Sequence, residues 1–160
     1  MKVSKNILKE IAESTLEKIK NTPKENLSKI LNMTDYHGFL KSRLPESFLG
    51  NILSPFKLTP EDVQIEVVEV NTDLAHEVHY HQHAFAYCVI MGSDYNIIDA
   101  RHAKAYLQGN WFPVSAGNVL EIPPGTHHGF TIDPGGTLTF LSVQAPPIVG
   151  GGHDDYHRIN

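Results

Sequence analysis

Cysteine is all but missing from this chain. Cys88 is the only one, so no intramolecular disulfide can form and an oxidising compartment adds no stability, which favours a cytoplasmic location. Long apolar runs are missing too, and nothing reaches the length needed to cross a bilayer. The first twenty residues alternate Lys and Glu with isolated Ile and Leu, unlike the continuous apolar stretch of a signal peptide. A membrane is therefore not an expected partner. Lys and Arg form no dense stripe and the net charge of −5 is mild, so nucleic acid is not expected either. Internal repeats and low-complexity tracts are absent. What is present is 160 residues, 41% hydrophobic and 19% charged, a composition that folds rather than staying disordered. That length buries one core and is short for two. The unusually frequent residue is histidine, with ten copies, several of them between His76 and His83.

Periodicity divides the chain. From Val3 to Ile19 apolar residues recur at helical spacing among Lys and Glu, which predicts an amphipathic helix. A second helix is predicted from Thr22 as cap, Pro23 as first residue and Glu25 completing a capping box, running to about Met33. Thr34 to Pro60 is broken by Gly38, Pro45, Gly50, Pro55 and Pro60 and reads as short helices or turns. Beyond Pro60, β-prone runs predict strands at Gln64–Val70, Glu77–His83, Phe85–Met91, Tyr95–Ala100, Val119–Ile122, Gly129–Ile132 and Leu138–Val143. Many short strands with helices at one end predict a mainly β, antiparallel barrel or sandwich carrying an N-terminal helical appendage.

Side chains alternate across a strand, so His79, His81, His83 and Phe85 are expected on one face. Two neutral imidazoles one residue apart can share a first-row divalent ion, but a stable site needs a third ligand from elsewhere. His128 is the candidate, since Gly117, Pro123, Pro124 and Gly125 turn the chain sharply ahead of it.

Together, His79-Tyr80-His81, Phe85 and Gly92, followed by Gly117, Pro123, Gly125 and His128, resemble the paired motifs of the cupin superfamily. The resemblance extends from about Gln64 to Pro147. It implies a double-stranded β-helix, the cupin or jelly-roll barrel, over residues 61–149, a mononuclear metal held by His79, His81 and His128, and often a homodimer. Residues 1–60 then form a helical extension packing on the barrel or on a second subunit, and 150–160 a C-terminal tail. The pattern departs at Asp73, at Ile132, and above all at Phe85, which stands where a glutamate ligand usually stands. A neutral three-histidine set leaves the ion its full charge and open positions that favour an anionic or chelating small molecule. Among cupins this arrangement resembles the iron(II) dioxygenases of thiols, diketones or aromatic acids, so Fe(II) is the first expectation. The alternatives are a redox-neutral isomerase or lyase using Zn, Ni or Mn, and a non-catalytic small-ligand-binding cupin.

Other residues are weighed beside these. Glu77 is either an acid–base group replacing the missing carboxylate or a strand-end surface residue. His83 is a candidate pocket donor, and Tyr87 is expected on the inner face, orienting substrate or bonding within the core. Phe85 and Trp111 are candidates for the pocket wall. Cys88 reads as a buried, inert thiol. The segment from Gly150 to His157 has the composition of an extra metal site, but its glycines read more simply as a mobile end.

Overall fold

Ser4 starts the first helix, α1 (Lys5–Lys20), by accepting the Ile7 N–H at 3.2 Å, and Lys18 and Lys20 in the last turn suit the helix dipole. Leu8, Ile11, Ala12, Thr15 and Ile19 form one buried stripe, and the Thr15 hydroxyl donates to the Ile11 carbonyl. The chain is described by a computed structural model over residues 3–36, 39–71, 78–91, 103–133, 136–148 and 154–159.

The second helix, α2 (Lys24–Ile30), is shorter than expected. Pro23 precedes it as the cap, and the Thr22 hydroxyl turns back to the Lys18 carbonyl at 2.7 Å instead of capping forward. Leu31 then takes extended backbone, and two strands follow where only helices and turns were expected: β1 (Asn32–Tyr36) and β2 (Phe39–Arg43). Their cause is tertiary, because β2 extends the sheet by pairing with β3 (Gln64–Asn71). The helix α3 (Glu46–Leu53) and a turn of 3-10 helix at Ser54–Phe56 complete this part.

The remaining strands are β4 (His79–Tyr80), β5 (Phe85–Met91), β6 (Ala103–Leu107), β7 (Asn110–Val114), β8 (Val119–Ile122), β9 (His128–Ile132), β10 (Thr137–Ala145) and β11 (His157–Arg158). They form two antiparallel sheets, one ordered β1-β2-β3-β10-β5-β8 and the other β11-β4-β9-β6-β7. The expected strand at Tyr95–Ala100 lies outside the described residues. The β6–β7 hairpin, absent from the expected strands, turns at Gln108 and Gly109, both with positive φ.

The middle strands β3, β10 and β5 of the first sheet are buried on both faces, which is why β5 reads as an unbroken apolar run rather than an alternating one. Tyr87, Val89 and Met91 of β5, Ile65 and Val67 of β3, and Leu141 and Val143 of β10 face the helices, forming one core with Leu8, Ile11, Ile52 and Leu53. The alternate residues, Ala86, Cys88 and Ile90, Val68 and Val70, and Leu138 and Phe140, face the second sheet. Phe130 of β9 stacks on Phe140 across the gap with centroids 4.4 Å apart. The molecule thus has helices, then a sheet, then a second sheet, with two cores between three layers. Each fully buried Leu or Ile in them stabilises the fold by about 1.5–3 kcal/mol. The site lies in the inter-sheet core. Among the described residues no helix is long and apolar enough to cross a membrane.

Candidate metal centre

The strand ladder places the first pair of rings, since His79 of β4 is directly opposite His128 of β9. His81 follows β4, and its carbonyl accepts the N–H of Gly125 at 2.7 Å. Gly125 has φ +80, a conformation that suits glycine, so the proline–glycine turn can dock on the first motif and deliver His128. All three imidazoles are buried, with exposures of 8%, 5% and 3% for His79, His81 and His128. One nitrogen of each lies within 4.8 Å of those of the others, and the ring centroids are 4.2 to 5.0 Å apart.

Their neighbours fix which nitrogens carry the proton. His128 Nδ1 lies 2.8 Å from the Thr126 carbonyl, and His81 Nδ1 lies 2.6 Å from the Asp155 carbonyl. A carbonyl only accepts, so both Nδ1 atoms donate, which leaves Nε2 of each ring as the atom able to ligate a metal. Burial, reinforced by the adjacent His81, pushes the pKa of His128 down to about 3 against the pull of the Thr126 carbonyl. The ring is therefore neutral at ordinary pH. Three buried imidazoles, two of them anchored through Nδ1, fit a first-row divalent ion, whose ligating histidines are usually oriented by such partners. These three residues could hold one metal ion; the donor set does not select which metal.

The C-terminal segment closes one side of the centre. Asp155 carries the carbonyl that holds His81, and its carboxylate accepts three successive backbone N–H groups, from Gln82 at 2.6 Å, His83 at 2.8 Å and Ala84 at 2.9 Å. Burial opposes its charge, but these N–H groups and the nearby His81 together hold the carboxyl below its ordinary range. Tyr156 stacks on His79 at 4.1 Å, His157 stacks on Tyr80 at 4.9 Å, and β11 pairs with β4. The expectation of a mobile end is thus corrected for residues 154–159. The glycines that suggested it lie outside the described residues, and the acid and aromatic side chains after them find partners.

The chain bends at Gln82 and His83, which corrects the placement of three candidate residues. Continuous alternation would have put His83 on the ligand face; instead it is exposed and reaches the site only through its backbone N–H to Asp155. The bend also resets parity, so Phe85 packs against the helix-side core. Tyr87 does the same, and burial first, then Glu13 and Glu121, push its phenol up. The pocket-facing residue where a carboxylate was expected is Ala86, not Phe85. Trp111 is 39% exposed on β7, edge-on to Tyr106 at 5.2 Å, and does not line the pocket. Glu77 lies outside the described residues, as do His76 and His102.

Sequence reasoning missed the pocket's other polar wall. Alongside the histidines, the cavity is small, about 50 Å³. Its lining includes Val68, Ile122, Phe130 and Phe140, and also Glu66, Ser142 and Gln144. Glu66 accepts amide N–H groups from Gln64 at 2.8 Å and Gln144 at 3.0 Å. The signal was legible: Glu66 shares parity with Val68 and Val70, and Ser142 and Gln144 with Leu138 and Phe140, so polar residues stood on a core face. Cys88 is on this face as well, its thiol pushed up to about 12 by burial. It should resist thiol reagents in the folded protein and react fully in denaturant; fast labelling of the native state would contradict its burial.

No protein-family model and no curated relative matches the sequence. Solved structures do match in fold. Pac13 of Streptomyces, a nucleoside dehydratase whose structure holds uridine, aligns with a TM-score of 0.55 at 12% identity, over 82% of this chain and 86% of its own. The polyketide cyclase RemF from Streptomyces resistomycificus gives 0.56 at 16% identity, over 82% of each chain. A protein from Planctomyces limnophilus gives 0.57 at 17% identity, over 86% of this chain and 97% of its own. At these identities the likeness is one of fold: a mainly β, antiparallel architecture with a few helices, similar to that of these proteins.

Proposed function

We propose that the chain is a cupin-type, metal-dependent enzyme acting on a small chelating or anionic molecule by redox-neutral chemistry, the loss of water or a ring closure. The observation that carries this is the cluster of three buried imidazoles whose donor atoms approach within 4.8 Å. A bound divalent ion would supply Lewis acidity at a substrate oxygen. His79, His81 and His128 hold it, Asp155 and Thr126 orient two of them, and Tyr156 stacks over His79. Val68, Ile122, Phe130 and Phe140 exclude water from the reacting groups, which keeps polar interactions there strong. Glu66 is the carboxylate of the pocket lining and takes the substrate proton.

The fold neighbours with named reactions, a dehydratase and a cyclase, support this over oxygenation. The iron(II) dioxygenase implied by the three-histidine resemblance has no counterpart among them. The test compares zinc-, nickel- and iron-loaded protein on β-hydroxy carbonyl compounds, following formation of the conjugated product, with oxygen uptake recorded in parallel. Water loss without oxygen uptake is expected. Oxygen consumption with iron would replace this reading by the dioxygenase, and ligand binding with no turnover by the non-catalytic cupin.

A further inference from the structure

We infer that residues 154–159 form a lid over the metal centre, which lifts from β4 with Asp155 as its latch and so controls access to the three histidines. The inference rests on the reading that these histidines hold a metal beside a small molecule, and it adds how they are reached. Tyr156 lines the cavity together with His79, His81 and His128, so the segment is one of its walls. Behind that wall the three rings are buried, and the cavity of about 50 Å³ has room for a few water-sized groups. Small-molecule sites usually measure about 300 Å³ or more. A ligand of ordinary size therefore enters only if a wall moves.

Of the walls, this segment is the one most lightly held. β11 is two residues long and pairs with β4 at the edge of its sheet, whereas β3 and β10 are eight and nine residues long and sit inside theirs. No side chain of residues 154–159 is buried, and none belongs to either apolar core. Polar bonds and stacking secure it instead. The Asp155 carboxylate accepts the N–H groups of Gln82, His83 and Ala84, and the Asp155 N–H donates to the Ile148 carbonyl at 2.7 Å. The Ile159 N–H donates to the Val78 carbonyl at 3.0 Å, and the Tyr156 ring lies on His79. Such contacts break and re-form without exposing a core, so the segment opens at a lower free energy than the sheets behind it. Latch and centre are joined in the closed state, because the residue that caps the bend also gives its carbonyl to His81 Nδ1. A metal held by His81 therefore favours the closed lid, and by linkage the closed lid favours the metal.

Zinc is the probe of access. Its association with the full-length, metal-free protein and its release to excess chelator are followed by stopped flow in the wild type and in Asp155→Ala. Loss of the latch is expected to raise the association rate about tenfold, and the release rate by more, because binding also weakens. Faster release with association unchanged or slowed would overturn the inference, since Asp155 would then only orient His81. Amide exchange of the wild-type protein is the second measurement. The N–H groups of Gln82, His83, Ala84 and Asp155 are expected to share one level of protection, below that of β10, and zinc is expected to raise it. Protection equal to that of β10, or protection that zinc leaves unchanged, would overturn the inference too, and this result alone decides if the variant fails to fold. Zinc that binds the wild type but reaches Asp155→Ala no faster defeats the lid and leaves the metal centre standing. No zinc binding by the wild type defeats the centre, and the lid with it.

Discussion

Added zinc will raise the thermal midpoint of the metal-free protein, and His128→Ala will abolish that rise. A ligand that binds only the folded state stabilises it in proportion to the logarithm of its saturation, about 2.7 kcal/mol at a hundred times the Kd. Of the three rings His128 is the most buried, and its anchored Nδ1 leaves Nε2 to the cluster. Structural zinc sites with four ligands bind with about 10–16 kcal/mol, so one ligand contributes about 3 kcal/mol and its loss weakens binding about a hundredfold. The fold should survive, because the two large apolar clusters remain intact in the variant. Truncation does leave the Thr126 carbonyl without its donor, so the metal-free variant is expected to be somewhat less stable. The comparison is therefore of the zinc-induced rise within each protein, read by thermal unfolding with and without chelator, together with zinc content by elemental analysis. Stoichiometric zinc in His128→Ala would remove the residue from the ligand set and take the proposed function with it.

The centre was legible because its geometry is written in short-range terms. His79 and His81 are two residues apart, and the Pro123-Pro124-Gly125 turn that brings His128 to them is a local signal with a mechanism. β5 and β8 were legible to the residue, since their apolar runs are bounded by turns or bends. Parity beyond His81 was not. Alternation holds only while the strand is unbroken, and the bend at Gln82–His83 is imposed by Asp155, more than seventy positions away. No local reading can see that contact. Phe85, Tyr87 and His83 were misplaced together for this single reason, and Ala86 took the place expected of Phe85.

The β1–β2 pair was hidden in a related way, its backbone bonds completed by β3 rather than by any periodicity of its own. Glu66, Ser142 and Gln144 teach the opposite lesson. They stood in recognised strands with their inward parity already given, and a polar residue on a core face costs free energy unless it is paired. A polar side chain on the buried face of a strand is therefore a site candidate on sequence grounds alone.

Asp155→Ala will damage the centre although Asp155 need not touch the ion. Its carboxylate accepts the N–H groups of Gln82, His83 and Ala84, and hydrogen bonds to a charged group contribute about 1.5–3 kcal/mol each. These bonds act as one unit, so their loss is not the full sum, and a destabilisation of about 3–4 kcal/mol is expected. More follows from position than from energy. Once the carboxylate is gone, the Asp155 backbone carbonyl is no longer pinned beneath His81 Nδ1, and with it goes the register that stacks Tyr156 on His79. Loss of an orienting partner typically weakens metal binding about 10–100-fold. Asp155→Asn should fall between, since its single oxygen can still accept at the bend while its NH₂ faces a backbone donor. Amide exchange at Gln82, His83 and Ala84 is expected to accelerate in Asp155→Ala in step with the fall in zinc affinity. Fast exchange with unchanged zinc affinity would mean that the C-terminal segment merely caps a bend. Loss of both together would make it part of the metal centre, holding from the end of the chain a histidine that the sequence sets in its middle.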